Sequence, residues 1–282
     1  MLRGANRVSA RHGWAWVKSG VVSFRQQPAL WLAMAFVYLA VALVLGQIPF
    51  VGWLILILFT PLCMLGALPL AQALAGAGLP PDALPAAPAQ PDFRSRLLYL
   101  RELLTRAARR LFHGLSQEDK LLPIMVIGTL LLGGVVVVKL LAQLFRVGGA
   151  ALPAMLSGSV SASVGLTALL GLLVVLSLEA LLLMAFLYTV PLIALRREHP
   201  LPSLELSFNG AATNMGAFSI FVTVFAVAGK VMHTLFLHLS FPFDYLAFIV
   251  VGLVALPVFM AALYASYQDL YAPPPAPIPP PG

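Results

Sequence analysis

A bundle of α-helices that crosses a lipid bilayer several times is the fold class this sequence predicts, and three observations predict it. Of its 282 residues, 61% are hydrophobic and only 10% are charged, where a water-soluble domain carries about 25% charged residues. Its apolar runs exceed the roughly 20 residues that a helix needs to cross the hydrocarbon core. None of these runs alternates inward and outward residues as the strands of a membrane β-barrel do.

The formal net charge of +7 does not point to nucleic acid, because the charges flank apolar runs and form no face of a soluble domain. The single cysteine, Cys63, falls inside an apolar run. It has no partner for an internal disulfide, and its size suits packing.

Residues 1–27 carry Arg3, Arg7, Arg11, Lys18 and Arg25. The apolar core that follows starts too late and runs too long for a cleavable leader. Trp14, Val17, Val21 and Phe24 share one helical face, with Arg11, Lys18 and Arg25 off it. Such a helix either lies among the headgroups, with Trp14 and Trp16 at the interface, or packs under the spans. Pro28 sits where a helix begins, and 29–47 forms the first span. Ile48-Pro-Phe-Val-Gly52 turns the chain and 53–75 returns as the second span. Its Pro61 and Pro69 predict kinks and not breaks, since neighbouring spans can satisfy the freed carbonyls.

Residues 76–92, rich in proline and alanine, form a linker with no means of burying a core. In 93–115, Phe93, Leu97, Leu100, Leu104, Ala107 and Leu111 fall at alternating spacings of four and three. Arg94, Arg96, Arg101, Arg106, Arg109 and Arg110 occupy the other faces. This amphipathic helix suits an anionic lipid surface. It lacks the interleaved aromatic side chains that stack on RNA bases.

The third span is 121–145, with Lys139 near its far end, and a Gly/Ser-rich loop covers 146–163. The fourth span, 164–195, is broken only by Glu179 and ends at Arg196-Arg197. Leu201, Leu204, Phe208, Ala211 and Met215 mark a further interfacial segment. Residues 216–239, with Lys230, make the fifth span. Phe241-Pro-Phe-Asp-Tyr245 is a turn, and 246–267 is the sixth span. The organisation is therefore 1–75, the linker 76–92, 93–200, 201–271 and a disordered proline-rich tail, 272–282.

An interfacial segment followed by a hairpin of two spans occurs three times, which predicts an internal repeat. Trp14 aligns with Leu201. Pro61, Met64 and Gln72 align with Pro257, Met260 and Gln268, and Met184-Ala-Phe-Leu-Tyr188 echoes Met260-Ala-Ala-Leu-Tyr264. All of the 17 Lys and Arg except Lys139, Arg146 and Lys230 fall on the side where the odd spans start. The positive-inside rule then puts both termini in the cytoplasm.

The ending Tyr264-Ala-Ser-Tyr-Gln-Asp-Leu-Tyr271, after a span containing Pro257, and the opening Gln27-Pro-Ala-Leu-Trp31 carry a resemblance. The chain resembles an uncharacterised group of proteobacterial multi-pass inner-membrane proteins, in which a Tyr-x-Ser-Tyr-x-Asp ending and a Gln-Pro entry recur. Gln268 departs from the basic residue expected there. The resemblance covers most of the chain and implies a six-span inner-membrane fold. It brings no reaction, substrate or catalytic residue.

No His-Glu-x-x-His, Gly-x-Ser-x-Gly or phosphate-binding glycine loop is present, and the histidines are scattered. Within the spans, Glu179 is the costliest placement. Counted from the basic ends, Glu179 and Lys230 each lie about 15 residues, or roughly 22 Å, deep. That predicts a charge pair, with Lys139 the second candidate partner. The expected function is that of a non-catalytic, cofactor-free inner-membrane component. Its expected partners are anionic lipid headgroups and a membrane protein, not nucleic acid. The expected lipid contacts are Arg94, Arg101, Arg106, Arg109 and Arg110. The alternative is a transporter or channel that uses Glu179 and Lys230.

Overall fold

The computed structural model describes residues 4–76, 84–85, 92–145, 157, 162–238 and 243–272. Most of the linker, most of the Gly/Ser-rich loop with Arg146, residues 241–242 of the expected turn and nearly all of the tail lie outside the described residues; the rest of that turn, 243–245, is the start of the last helix. Among the described residues every regular element is a helix. They are α1 (Arg11–Gln26), α2 (Pro28–Gly46), α3 (Val51–Ala75), α4 (Phe93–Phe112) with a 3-10 turn at His113–Ser116, α5 (Glu118–Leu144), α6 (Ala162–Phe186), α7 (Thr189–Arg196), α8 (Pro200–Thr213), α9 (Met215–His238) and α10 (Phe243–Tyr271). Among the described residues, five stretches are long and apolar enough to cross a membrane, or six if α8 and α9 are counted together across their 98° bend. The chain is a multi-pass helical membrane protein.

Pro61 and Pro69 lie inside an unbroken α3, as expected. The fourth span is different: α6 ends at Phe186 and α7 starts at Thr189. Pro191 supplies the cause, because a proline ring clashes with the carbonyl four residues back, here that of Leu187. The interruption is stapled. Ser207 Oγ donates to the Met184 carbonyl at 2.8 Å and accepts from the Tyr188 N–H at 3.1 Å, while Thr189 Oγ1 donates to the Ala185 carbonyl at 2.6 Å.

The described helices fall into two compact units. The first comprises Met1–Val41, Gly66–Leu111 and Asn209–Gly282. In it α1 packs on α9 and α10, which also pack on each other. Glycine sets the approach: a Cβ at Gly13 would strike the Ala217 carbonyl, and one at Gly20 the Val258 carbonyl and Ala262. Likewise α4 meets α3 where a Cβ at Gly66 would fall on the Leu111 and Arg110 carbonyls. An aromatic cluster of Trp16, Phe221, Phe225 and Phe259 fills the space beside α1, with ring centroids 5.1 to 6.1 Å apart.

Two helices bury faces offset from their apolar stripes. In α1 the buried residues are Gly13, Trp16, Val17 and Gly20, whereas Trp14 is half exposed. In α8 and the turn after it, Ser203, Leu206, Ser207, Gly210, Ala211 and Asn214 are buried, while Leu201 and Met215 are exposed. Both helices bury small residues beside larger ones, Gly13 and Gly20 beside Trp16 and Val17 in α1, and Ser203, Ser207, Gly210 and Ala211 beside Leu206 in α8. Lipid tails are as apolar as leucine, so helices in a membrane associate through close approach and not through hydrophobic burial.

The second unit comprises Ala42–Leu65 and Phe112–Phe208. There α5 packs on α6 and α7, with Gly134 against Leu182 and Gly128 against Leu58 of α3. Phe59 and Phe112 lie 5.6 Å apart between ring centroids.

Adding one methyl group separates packed glycines from idle ones. Gly20→Ala and Gly66→Ala should each destabilise the protein by about 1–3 kcal/mol, the usual range for overpacking. Gly133→Ala, where a Cβ meets nothing within 4 Å, should hold or raise the melting temperature in mild detergent, because alanine favours helix.

Candidate membrane-surface site

The apolar stripe of α4 runs its whole length, but only its second half is covered. Leu103, Ala107 and Leu111 are buried, whereas Phe93 is 82% exposed and Leu97 55%, with Leu98 and Leu100 also exposed. The first half thus extends past its packing partner with an uncovered apolar edge. Arg94, Arg96 and Arg101 lie beside that edge and are exposed, as is Arg109 further along.

Arg106 and Arg110 stand apart, since both are only half exposed. Arg106 Nε donates to Glu102 Oε1 at 2.9 Å, and its Nη1 donates to the Leu84 carbonyl at 2.9 Å, tying α4 to the linker. The hydrogen bond from Arg106 holds the Glu102 carboxyl below its ordinary range, with the charges of Arg106, Arg109 and Arg101 adding to it. A lowered carboxyl pKa keeps this contact intact at neutral pH and releases it only on acidification below the usual carboxylate range.

The intramembrane charges are divided between the units. Glu179 is exposed on α6 in the second unit, and Lys230 is exposed on α9 in the first. Lys139 shares the second unit with Glu179 but sets its ammonium over the Trp53 ring, 5.7 Å from the centroid, within cation–π range.

A second polar constellation, not foreseen from the sequence, joins the chain's two ends inside the first unit. Asn214, in the turn between α8 and α9, accepts the Val8 N–H at 2.7 Å and donates to the Asn6 carbonyl at 2.9 Å and the Gly210 carbonyl at 3.0 Å. The Asn6 N–H donates to the Leu270 carbonyl at 2.8 Å. Trp16 Nε1 donates to Asp269 Oδ2 at 2.7 Å. The ending noted in the sequence is consumed here. Asp269 holds Trp16, Ser266 is buried and bonds the Leu263 carbonyl, and Tyr264, Tyr267 and Tyr271 stack in order with centroids 6.3 and 5.6 Å apart. Among the described residues, no three His, Cys, Asp or Glu side chains gather around a common point suited to a metal ion.

No protein-family model, curated protein or solved structure matches the chain. Its chemistry must be read from its own residues.

The Asn214 junction is testable by its bonding pattern. Asn214→Ala should cost about 1–3 kcal/mol, the penalty for leaving the Val8 N–H without an acceptor. Asn214→Asp keeps that acceptor but sets a carboxylate oxygen against the Asn6 and Gly210 carbonyls, so its drop in melting temperature should shrink on acidification, when the protonated carboxyl can donate again.

Proposed function

We propose that this chain is a six-span inner-membrane protein built of three repeated units, and that it is a non-catalytic component which engages anionic lipid headgroups through α4. The observation that carries this is the uncovered first half of α4, an apolar edge flanked by exposed Arg94, Arg96 and Arg101. A helix of this build lies in the headgroup layer, with its apolar side in the acyl boundary and its arginines among phosphates.

The packing supports the repeat. The alignment that pairs Trp14 with Leu201 also pairs Gly20 with Ser207. Gly20 abuts Ala262 of α10, and Ser207 bonds the Met184 and Tyr188 backbones at the end of α6. The alignment of the returning spans pairs Gly66 with Ala262, and Gly66 receives α4. Each interfacial helix therefore docks on a returning span at or beside the same aligned position. Measured from that docking point, α4 extends about 10 residues, roughly 15 Å, further towards its N-terminus than α1 or α8. The surplus is the uncovered arginine-bearing half. A length of helix that the repeat does not need is a reasonable place for this chain's own activity, and a membrane-protein partner at the same surface is compatible with it.

In the proposed topology both termini and α4 face the cytoplasm. Reporter fusions after residues 76, 197 and 271 should read as internal, and fusions near 149 and 244 as external; an opposite reading at any of these positions overturns the six-span topology. For lipid engagement, a fluorophore at Leu97→Cys in a Cys63→Ser background should be quenched by brominated lipids in nanodiscs containing anionic lipid. Quenching should weaken in high salt and in the triple variant Arg94→Gln, Arg96→Gln, Arg101→Gln, since each arginine contributes about 1 kcal/mol at such a surface. Equal quenching in purely zwitterionic nanodiscs would refute recognition of the anionic headgroup.

A further inference from the structure

Glu179 and Lys230 are both displayed outward from the helices that carry them. On α6, Leu176, Ser177, Ala180 and Leu183 around Glu179 are also exposed. On α9, Thr223, Ala226 and Val227 share the exposed face with Lys230, and a Cβ at the adjacent Gly229 would meet nothing within 4 Å. Within its own unit neither charge forms an ion pair among the described residues, and Lys139 is engaged over Trp53.

Under the six-span topology on which this inference rests, both residues lie about 15 residues, roughly 22 Å, from the cytoplasmic ends of their spans. A carboxylate facing acyl chains at that depth is costly, and its short side chain does not reach the headgroups. An outward acid on one surface and an outward base at the same depth on another complement each other between copies lying side by side in one membrane. The small residues beside Lys230 allow a neighbouring helix to approach closely.

We propose that Glu179 of one chain pairs with Lys230 of a second copy inside the bilayer, so that the protein assembles with itself through α6 and α9. In a two-fold arrangement each copy contributes both residues and two such pairs form. The pair replaces two lipid-facing charges with one desolvated but neutralised contact, and loss of either partner strands the other.

Charge reversal in trans tests this. Two differently tagged full-length copies should co-purify from mild detergent and from native nanodiscs. E179K or K230E, expressed under both tags, should lose co-purification, because each variant sets like charge against like. Co-expression of E179K under one tag with K230E under the other should restore it, since every contact in that mixture is again opposite in sign. If the mixture stays dissociated while the E179K/K230E double variant in one chain regains wild-type stability, the pairing is internal to the chain and the proposal fails. It fails equally if wild-type copies do not co-purify, or if all variants co-purify alike. Should the reversal variants not accumulate, Glu179→Cys under one tag and Lys230→Cys under the other, both with Cys63→Ser, should cross-link on oxidation in native membranes; absence of that cross-link overturns the proposal. The reporter fusions read the topology separately, so a failed topology is distinguishable from a failed pairing.

Discussion

Close approach of helix backbones is the constraint on which the packing depends. In water a helix chooses its buried face by apolar area; in a bilayer that incentive vanishes, because an outward leucine is as well solvated by lipid as an inward one. What remains is van der Waals contact and hydrogen bonding, and both reward small residues. Gly13 and Gly20 admit carbonyls of α9 and α10, and Gly66 admits those of α4. At Ser207 the small side chain does more, bridging the Met184 and Tyr188 backbones where Pro191 interrupts the helix ladder. Large apolar residues need not turn inward as a class: Trp14 and Leu201 face outward while Trp16 and Phe221 are buried.

That freedom explains which parts of the fold were legible in the sequence. The helical, multi-pass character of the chain followed from run length and from the prolines and glycines between runs. The inward faces of α1 and α8 were less legible, because the apolar stripes do not coincide with them: Trp14 and Leu201 are exposed and Val17 and Ala211 buried, while Gly20 and Ser207, outside the stripes, are packed. For α4, nothing in a linear pattern announces that burial is confined to Leu103, Ala107 and Leu111 in its second half. The break at Leu187–Tyr188 was missed because Pro191 lies within an apolar run that is long enough to cross a membrane with or without it.

The junction around Asn214 was illegible for another reason. Its partners are separated by more than 200 positions, as in Val8 with Asn214 and Trp16 with Asp269, so no local spacing reveals it. Motif residues did point to it indirectly. Asp269, Ser266 and the tyrosines of the final segment stood out as a motif, and the structure uses Asp269 to hold Trp16 of the N-terminal segment while Ser266 and the tyrosines bond and stack within their own helix. They serve architecture, which leaves the exposed charges of α4, α6 and α9 as the groups with chemistry still to offer.

The docking of the first helix on the last two has a consequence for biosynthesis. A ribosome delivers α1 well before the surfaces of α9 and α10 that receive Gly13, Trp16 and Gly20 exist. During that interval the N-terminal segment must wait at the membrane, and its basic, Trp-bearing amphipathic sequence is well suited to resting among headgroups meanwhile. The second unit, drawn largely from one continuous stretch, Phe112–Phe208, has no such delay. Completion of the first unit therefore waits on α9 and α10, and a nascent chain stopped before them would leave α1 undocked and exposed to quality control.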